Sequence, residues 1–257
     1  MSTPSFTDLE FSIGDDYVAT VEIARPPHNY FDHALIGSLA DAFTFCDGDD
    51  RVRAIVLCAQ GKSFCAGANF NAPRDGQTQP GNLYREAVKL FETKTPVVAA
   101  VQGAAIGGGL GVALMPDFRI ASPEARFAAN FARLGFHQGF GLSVTLPGIV
   151  GQQVALDMLY TGRRLNGEEA LQVGLCDRLV PAEDLRAEAH AFALEIARSA
   201  PLAVRSIRQT MRGDLAAKVK AATDHELAEQ DRLRSTEDFK EGVKATAERR
   251  LPDFKGR

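Results

Sequence analysis

The chain has 257 residues, of which 45% are apolar and 24% charged, and no stretch of low complexity; it can bury a sizeable core, which excludes a disordered or fibrous protein. Its net charge of −4 gives no bulk attraction to DNA, RNA or anionic lipid, so an anionic ligand must be held by a local cluster of cations. Cys46, Cys58, Cys65 and Cys176 form no CxxC pair and have no histidine at metal-ligand spacing, so reduced thiols, a reducing compartment and no metal site are expected.

The first residues, MSTPSFTDLEFSIGDD, carry neither a basic stretch nor an apolar run, which makes the cytoplasm the default location. Phe11 to Ile13, a turn at Gly14-Asp15-Asp16, and the alternation of Val18, Val21 and Ile23 predict a β-hairpin. Leu35, Leu39, Ala42, Phe43 and Cys46 recur at helical spacing, and Asp47-Gly48-Asp49 ends that helix. Ala54 to Ala59 is a short apolar run suited to a strand buried on both faces. Gln60 to Gly81 is polar and glycine-rich, hence loop, and helical periodicity resumes from Leu83 to Glu92.

Pro96 to Pro116 has no charge and is about long enough to cross a bilayer, with a small-xxx-small spacing from Gly103 to Gly107. Gln102, the Gly107-Gly108-Gly109 triplet and the absence of aromatic flanks favour a buried strand (Val97 to Val101), a glycine turn and a short helix (Gly109 to Met115). Asp117 to Ala121 then reads as a strand, Phe127 to Phe131 follows, and a loop runs through Gly141. Beyond Leu142 helix dominates, with one strand expected at Asp177 to Val180; α/β structure therefore comes first and helices after Pro181. We divide the chain at residue 195, with residues 196–257 as a helical region expected to serve subunit assembly.

Familiar nucleotide and hydrolase motifs fail on single residues. Gly61-Lys62-Ser63 lacks the upstream glycine of a phosphate loop, because Val56 stands there. The pattern GxGxxG from Gly107 ends on Val112, no GxSxG is present, and His225-Glu226 meets Glu229 where HExxH needs histidine.

The glycine triplet can instead use its backbone. Amides at a helix start are unpaired and lie at the positive end of the helix dipole, and glycine lets an oxygen approach them closely. A second small-residue loop, Cys65-Ala66-Gly67-Ala68, follows the Ala54 strand, and parallel neighbouring strands would bring both loops to one sheet edge. Two amides facing one oxygen make an oxyanion hole. The same residues equally serve close packing, and spacing alone leaves both readings standing.

The stretches GKSFCAGANF (Gly61 to Phe70), PVVAAVQGAAIGGGLGVAL (Pro96 to Leu114) and DFRIA (Asp117 to Ala121) resemble the crotonase (enoyl-CoA hydratase/isomerase) superfamily. LPGIVG, LYTGRRLNGEEALQVG, LCDRLVP and AERRLPDFK agree in order and spacing, so the likeness covers nearly the whole chain. The resemblance implies an α/β fold, a spiral of ββα turns followed by a helical oligomerisation region, and assembly as a homotrimer or dimer of trimers. It implies an acyl-CoA thioester as ligand, with coenzyme A part of the substrate, no permanently bound cofactor, and no nucleic-acid or membrane partner. The oxyanion-hole amides fall on Ala68 and Gly108. The CoA side falls on Arg25, Asn29, Phe31, Ala66 and Phe70, with Arg249 or Lys255 on phosphate, from the same or a neighbouring subunit.

The chain departs from that pattern where the family's hydratases carry two glutamates: Gly111 and Phe131 stand at those places, and Gly139 at a third acidic place used by some relatives. A positioned acid or base contributes about 10²- to 10⁴-fold in rate, so hydration is expected to be slow and isomerisation, decarboxylation or a related proton shift favoured. His137 is the candidate acid or base; Asn69 and Asn130 can orient a carbonyl or water; Cys65 is either a nucleophile or a buried small hydrophobe. An acyl-CoA-binding protein without chemistry, or a thioesterase, are the alternatives.

Overall fold

The computed structural model describes residues 4–69 and 80–257. Residues 1–3 and 70–79, Phe70 among them, lie outside the described residues.

Two sheets carry the fold. The hairpin forms as expected from β1 (Leu9–Ile13) and β2 (Val18–Ile23), antiparallel, with Phe11 opposite Val21; the Asp16 carboxylate accepts from the Val18 amide at 3.2 Å in the turn. α1 (His33–Gly48) begins where the Asp32 side chain accepts from the Leu35 amide, and it buries Leu35, Leu39, Phe43 and Cys46 along one face. The apolar run β3 (Ala54–Ala59) is buried throughout, as a parallel strand covered on both faces must be.

A short strand within the expected loop, β4 (Ser63–Cys65), precedes α2 (Pro80–Phe91). The uncharged run then resolves into β5 (Val97–Val101), a second strand β6 (Ala104–Ile106) and α3 (Gly108–Leu114), so it is core and not a membrane span. β7 (Phe118–Ala121) and β8 (Arg126–Ala128) follow, then a 3-10 turn (Ala132–Leu134). α4 (Leu142–Thr161) is the one described helix long and apolar enough to cross a membrane; Gly151 breaks it at φ 76°, ψ 163°, and Leu142, Leu146, Ala155 and Met158 are buried. β9 (Arg164–Asn166), α5 (Gly167–Gln172) and β10 (Arg178–Leu179) complete the α/β part.

One sheet has the order β1-β2-β3-β5-β7-β10 and the other β4-β6-β8-β9. The second sheet escapes sequence reading because its strands are only three residues long, too short for a period of two to declare itself.

α6 (Leu185–Ala197) covers the outer face of the first sheet: Ala189, Ala193 and Ala197 lie against Val56, Val98 and Ile120. The expected division at residue 195 therefore runs inside a core helix. α7 (Pro201–Arg212) buries none of its residues and is pinned at its basic end by ion pairs from Arg208 (2.9 Å) and Arg212 (2.8 Å) to Asp117. α8 (Leu215–Arg234) and α9 (Glu237–Ala247) return to their own core, burying Val219, Thr223, Glu226, Gln230 and Phe239. Two of the three helices beyond α6 thus close over the α/β core.

Candidate active site

The loops with the small residues leave the C-terminal ends of β4 and β6, parallel neighbours in the second sheet, and not β3 and β5 as expected. They press together backbone to backbone. A β-carbon at Gly109 would lie 2.0 Å from the Cys65 carbonyl oxygen, and one at Gly67 2.7 Å from that of Ile106. Only glycine permits this approach. Gly107, at φ 58°, turns the chain into α3, with its own amide on the Ala128 carbonyl at 2.8 Å.

Two amides are left over. Gly108 is the first residue of α3, where the amide has no carbonyl one turn back. Phe31 pairs with Ala68 as an isolated parallel bridge in which the Phe31 amide donates to the Gly67 carbonyl at 3.0 Å; in such a bridge residues 67 and 69 face Phe31, so the Ala68 amide faces away. Among the described residues neither amide has a protein acceptor. Both residues line one cavity of about 530 Å³.

Aromatic rings make its walls. Phe31 lies against Gly108, where a β-carbon would meet the ring at 2.4 Å, and packs edge-on against Phe140 with 5.7 Å between centroids. Phe131 lines the cavity and lies 6.5 Å from Phe136, which in turn lies 5.0 Å from Phe239.

Phe140 itself sits at φ 63°, a left-handed conformation rare for a bulky residue. The buried Glu226 carboxylate overdetermines it from α8. This carboxylate accepts from the Gly141 amide (2.9 Å), the Ser143 amide (3.0 Å) and the Ser143 hydroxyl (2.6 Å), capping α4 from a distant helix.

The space beside Gly139 is taken by Tyr84, whose hydroxyl would lie 2.0 Å from a β-carbon there. That hydroxyl donates to Gln230 Oε1 at 2.8 Å, and Gln230 Nε2 donates to the His137 carbonyl at 3.0 Å. Burial pushes the Tyr84 phenol above its usual range, reinforced by Glu226, so it stays protonated. Of the charged residues, Arg164, Arg234 and Arg249 line the cavity and, among the described residues, no carboxylate does.

Of the residues expected at the site, Phe31, Ala66, Ala68, Asn69 and Gly108 line the cavity on one side. Asn130, Phe131, Gly139 and Arg249 line it too. The remaining candidates lie elsewhere. Arg25 is held by Asp8 (2.5 Å) and Asp32 (2.8 Å). Asn29 is fully buried, its amide donating to the Gln60 and Ser63 carbonyls at 2.6 and 2.7 Å, so it is a clamp between loops and not a ligand.

Cys65 is buried and its thiol is pushed up by desolvation to about 12, which removes the nucleophile reading. Gly111 is roofed by the Phe140 ring. His137 does not line the cavity: its Nδ1 lies 2.9 Å from the Gln138 carbonyl and its ring stands edge-on to His225. Lys255 pairs with Asp253 at 2.8 Å beside α9.

Sequence reasoning missed Tyr84, Glu226, Gln230 and Arg164. Val219, Thr223, Glu226 and Gln230 occupy one face of α8, so polar residues on a buried helical stripe were the available signal.

A sheet edge that delivers two unpaired amides into an apolar cavity defines a carbonyl-binding α/β protein. The sequence profile of the enoyl-CoA hydratase/isomerase family matches residues 14–257, and the chain belongs to that family and to the crotonase superfamily. It is 34% identical over 249 residues to (E)-benzylidenesuccinyl-CoA hydratase of Thauera aromatica, covering 94% of this chain and 96% of that one. It is 32% identical over 249 residues to carnitinyl-CoA dehydratase of Proteus mirabilis, covering 93% and 95%. The crystal structure of an enoyl-CoA hydratase/isomerase from Pseudoalteromonas atlantica superposes with a TM-score of 0.87 at 33% identity, covering 97% of this chain and all of that one. The chain is an acyl-CoA-processing enzyme of this family.

Proposed function

We propose that the Ala68 and Gly108 amides form an oxyanion hole for the thioester carbonyl of an acyl-CoA, and that the reaction passes through a thioester enolate and is not hydration. The observation that carries this reading is that, among the described residues, both amides lack a protein acceptor while bordering the same cavity. Removing one such donor costs about 3 kcal/mol in the barrier.

Hydration is disfavoured because the two places where hydratases of the superfamily carry glutamate hold Gly111 and Phe131, and the first is covered by Phe140. A pocket walled by Phe31, Phe131, Phe136 and Phe140 suits an apolar or aryl acyl group. Arg164 and Arg249 supply local positive charge for the phosphates of coenzyme A, which takes part as substrate. The outer face of α7, with Leu202 82% and Met211 80% exposed, supports assembly into a homotrimer or a dimer of trimers.

A β-ketoacyl-CoA tests the hole directly, because its enolate absorbs in the near ultraviolet. Bound to the protein below the thioester's own acidity range it should show the enolate band; binding without that band would sink the oxyanion reading. Micromolar binding of saturated and unsaturated acyl-CoA with no turnover of any thioester would favour an acyl-CoA-binding protein instead.

A further inference from the structure

We infer that Arg234 is a specificity residue of this site and that the acyl group it selects carries a second, terminal carboxylate. The inference rests on the oxyanion reading above, which seats the thioester carbonyl between Ala68 and Gly108.

In a pocket with apolar walls the few polar groups decide which ligand is accepted. Three of them converge here. Tyr84, Gln230 and Arg234 all line the cavity, and Gln230 joins the other two: its Oε1 accepts from the Tyr84 hydroxyl at 2.8 Å and from Arg234 Nη2 at 3.4 Å. Gln230 is 2% exposed, and its Nε2 donates to the His137 carbonyl at 3.0 Å, which fixes the direction of the amide. On its other side the Arg234 guanidinium carbon lies 5.2 Å from the centre of the Phe136 ring. The cation is thus held between an anchored amide and an aromatic face.

Its place along the pocket follows from the rings. A β-carbon at Gly107 would lie 3.7 Å from the tip of Phe131, Phe131 lies 6.5 Å from Phe136, and Arg234 stands over Phe136. A second line of contacts reaches the same end: Phe31 lies on Gly108, Phe140 packs on Phe31, and Tyr84 fills the space beside Gly139, the neighbour of Phe140 in the chain. Aromatic surface therefore separates the hole from the guanidinium, and an acyl chain that crosses it meets a cation.

The charge is not cancelled on the spot. Asp231 lies 3.8 Å from Arg234 Nη1, but its side chain is 61% exposed, so water screens the pair. Glu226 spends its oxygens on the Gly141 amide and on the Ser143 amide and hydroxyl. A guanidinium presents five N–H donors in a planar fork that matches both oxygens of a carboxylate, and it can hold one while Gln230 steadies it.

Charge and shape together define the ligand class. It has an apolar body against Phe31, Phe131 and Phe140 and an anionic end at Arg234: the CoA thioester of a dicarboxylic acid, with an alkyl or aryl spacer between its two carboxyl carbons. A neutral chain gains nothing from the guanidinium, and a quaternary ammonium at that end is repelled.

3-Oxoadipyl-CoA, its terminal methyl ester and 3-oxohexanoyl-CoA share the β-keto thioester and differ at the far end. Calorimetric titration of the whole protein with each, following the enolate band in parallel, reads the two ends of the pocket separately. The free acid should bind about tenfold to hundredfold tighter than either neutral compound, the range for a hydrogen-bonded charge. Arg234→Met, which keeps an apolar stem against Phe136, should erase that advantage and leave the Kd of 3-oxohexanoyl-CoA within about threefold. Arg234→Lys, a charge without the fork, should restore part of it.

Equal affinity of the wild type for all three thioesters overturns the inference without any variant. So does an advantage that survives in Arg234→Met, or an equal loss for the three thioesters and for free coenzyme A, which would put Arg234 on a phosphate. An advantage for the free acid with no enolate band from any of the three sinks the oxyanion hole and leaves the carboxylate contact standing; the band without the advantage does the reverse.

Discussion

The Phe140 ring occupies the space that a side chain at Gly111 would need: a β-carbon there would lie 2.6 Å from Cδ1 and 2.7 Å from Cβ of Phe140. The backbone at Gly111 therefore has no room for a longer side chain while Phe140 stays in place. Gly111→Glu alone should destabilise the protein by about 1–3 kcal/mol from overpacking, and more if the carboxylate is trapped without a partner. Phe140→Gly relieves the positive φ but empties a core site. In Gly111→Glu/Phe140→Gly the two changes should compensate, giving a coupling of at least about 1 kcal/mol in a denaturant-unfolding double-mutant cycle. Additive effects would mean the two residues do not compete for one space.

His137→Ala should leave acyl-CoA turnover within about twofold of wild type. The ring turns to His225 and does not line the cavity, and the backbone carbonyl that accepts from Gln230 is retained by alanine. Steady-state kinetics on any thioester the enzyme processes checks this, and a hundredfold fall in kcat would restore the imidazole as the acid or base.

How much of this was legible beforehand follows from the range of the interactions. The β3 run, the β1–β2 hairpin and α1 declare themselves through local periodicity, and Gly107 and Gly108 through the need for backbone approach. The absence of carboxylates at Gly111, Phe131 and Gly139 is equally visible in sequence. What fills those places is not, because Phe140 and Tyr84 reach them across contacts between distant segments. Arg25 and Asn29 show the converse. Their residue types suit CoA, but type says nothing of partners, and each is taken up by its own surroundings.

Glu226 fixes the loop that carries Phe140, so Glu226→Gln should act on both stability and the site. The carboxylate accepts from two amides and a hydroxyl, whereas an amide presents N–H to one of those donors. A loss of about 2–4 kcal/mol is expected, with faster hydrogen exchange at the Gly141 amide than at core amides of β3 and β5. Unchanged exchange at Gly141 would show that the loop holds its strained shape without this cap.

Asp117 is the counter-charge for a crowded basic cluster. It accepts from Arg208 and Arg212 and from the Val97 amide at 2.9 Å, while Arg119 nearby pairs with Asp177 at 3.3 Å. Burial holds the Arg119 and Arg212 guanidiniums below the usual arginine value, and Arg208 Nη2 and Arg212 Nε lack a partner among the described residues. Asp117→Ala leaves those cations buried without compensation, and should cost about 3–5 kcal/mol in chemical denaturation and release α7. A loss below about 1 kcal/mol would mean that water, and not Asp117, carries the cluster.

The buried thiols set an alkaline limit on stability. Desolvation raises Cys46 and Cys65 from the usual 9.0 to about 12 in the folded protein, and Cys58 and Cys176 to about 11. Between the two values the unfolded chain has lost protons that the folded chain still holds, so raising the pH pulls the equilibrium toward unfolding. The contribution is fully present below pH 9 and is lost progressively from there to the folded values. Each fully buried thiol removes up to about 1.4 kcal/mol per pH unit across that window. Urea midpoints should therefore fall steeply from pH 9 to 11, and Cys65→Ala should shallow that slope relative to wild type once its own cavity cost at pH 8 is subtracted. In the same protein at pH 8 a disulfide thiol reagent should label none of the four cysteines until urea unfolds the chain. Rapid labelling of Cys65 in the native state would mean that its thiolate is accessible and that the nucleophile reading stands after all.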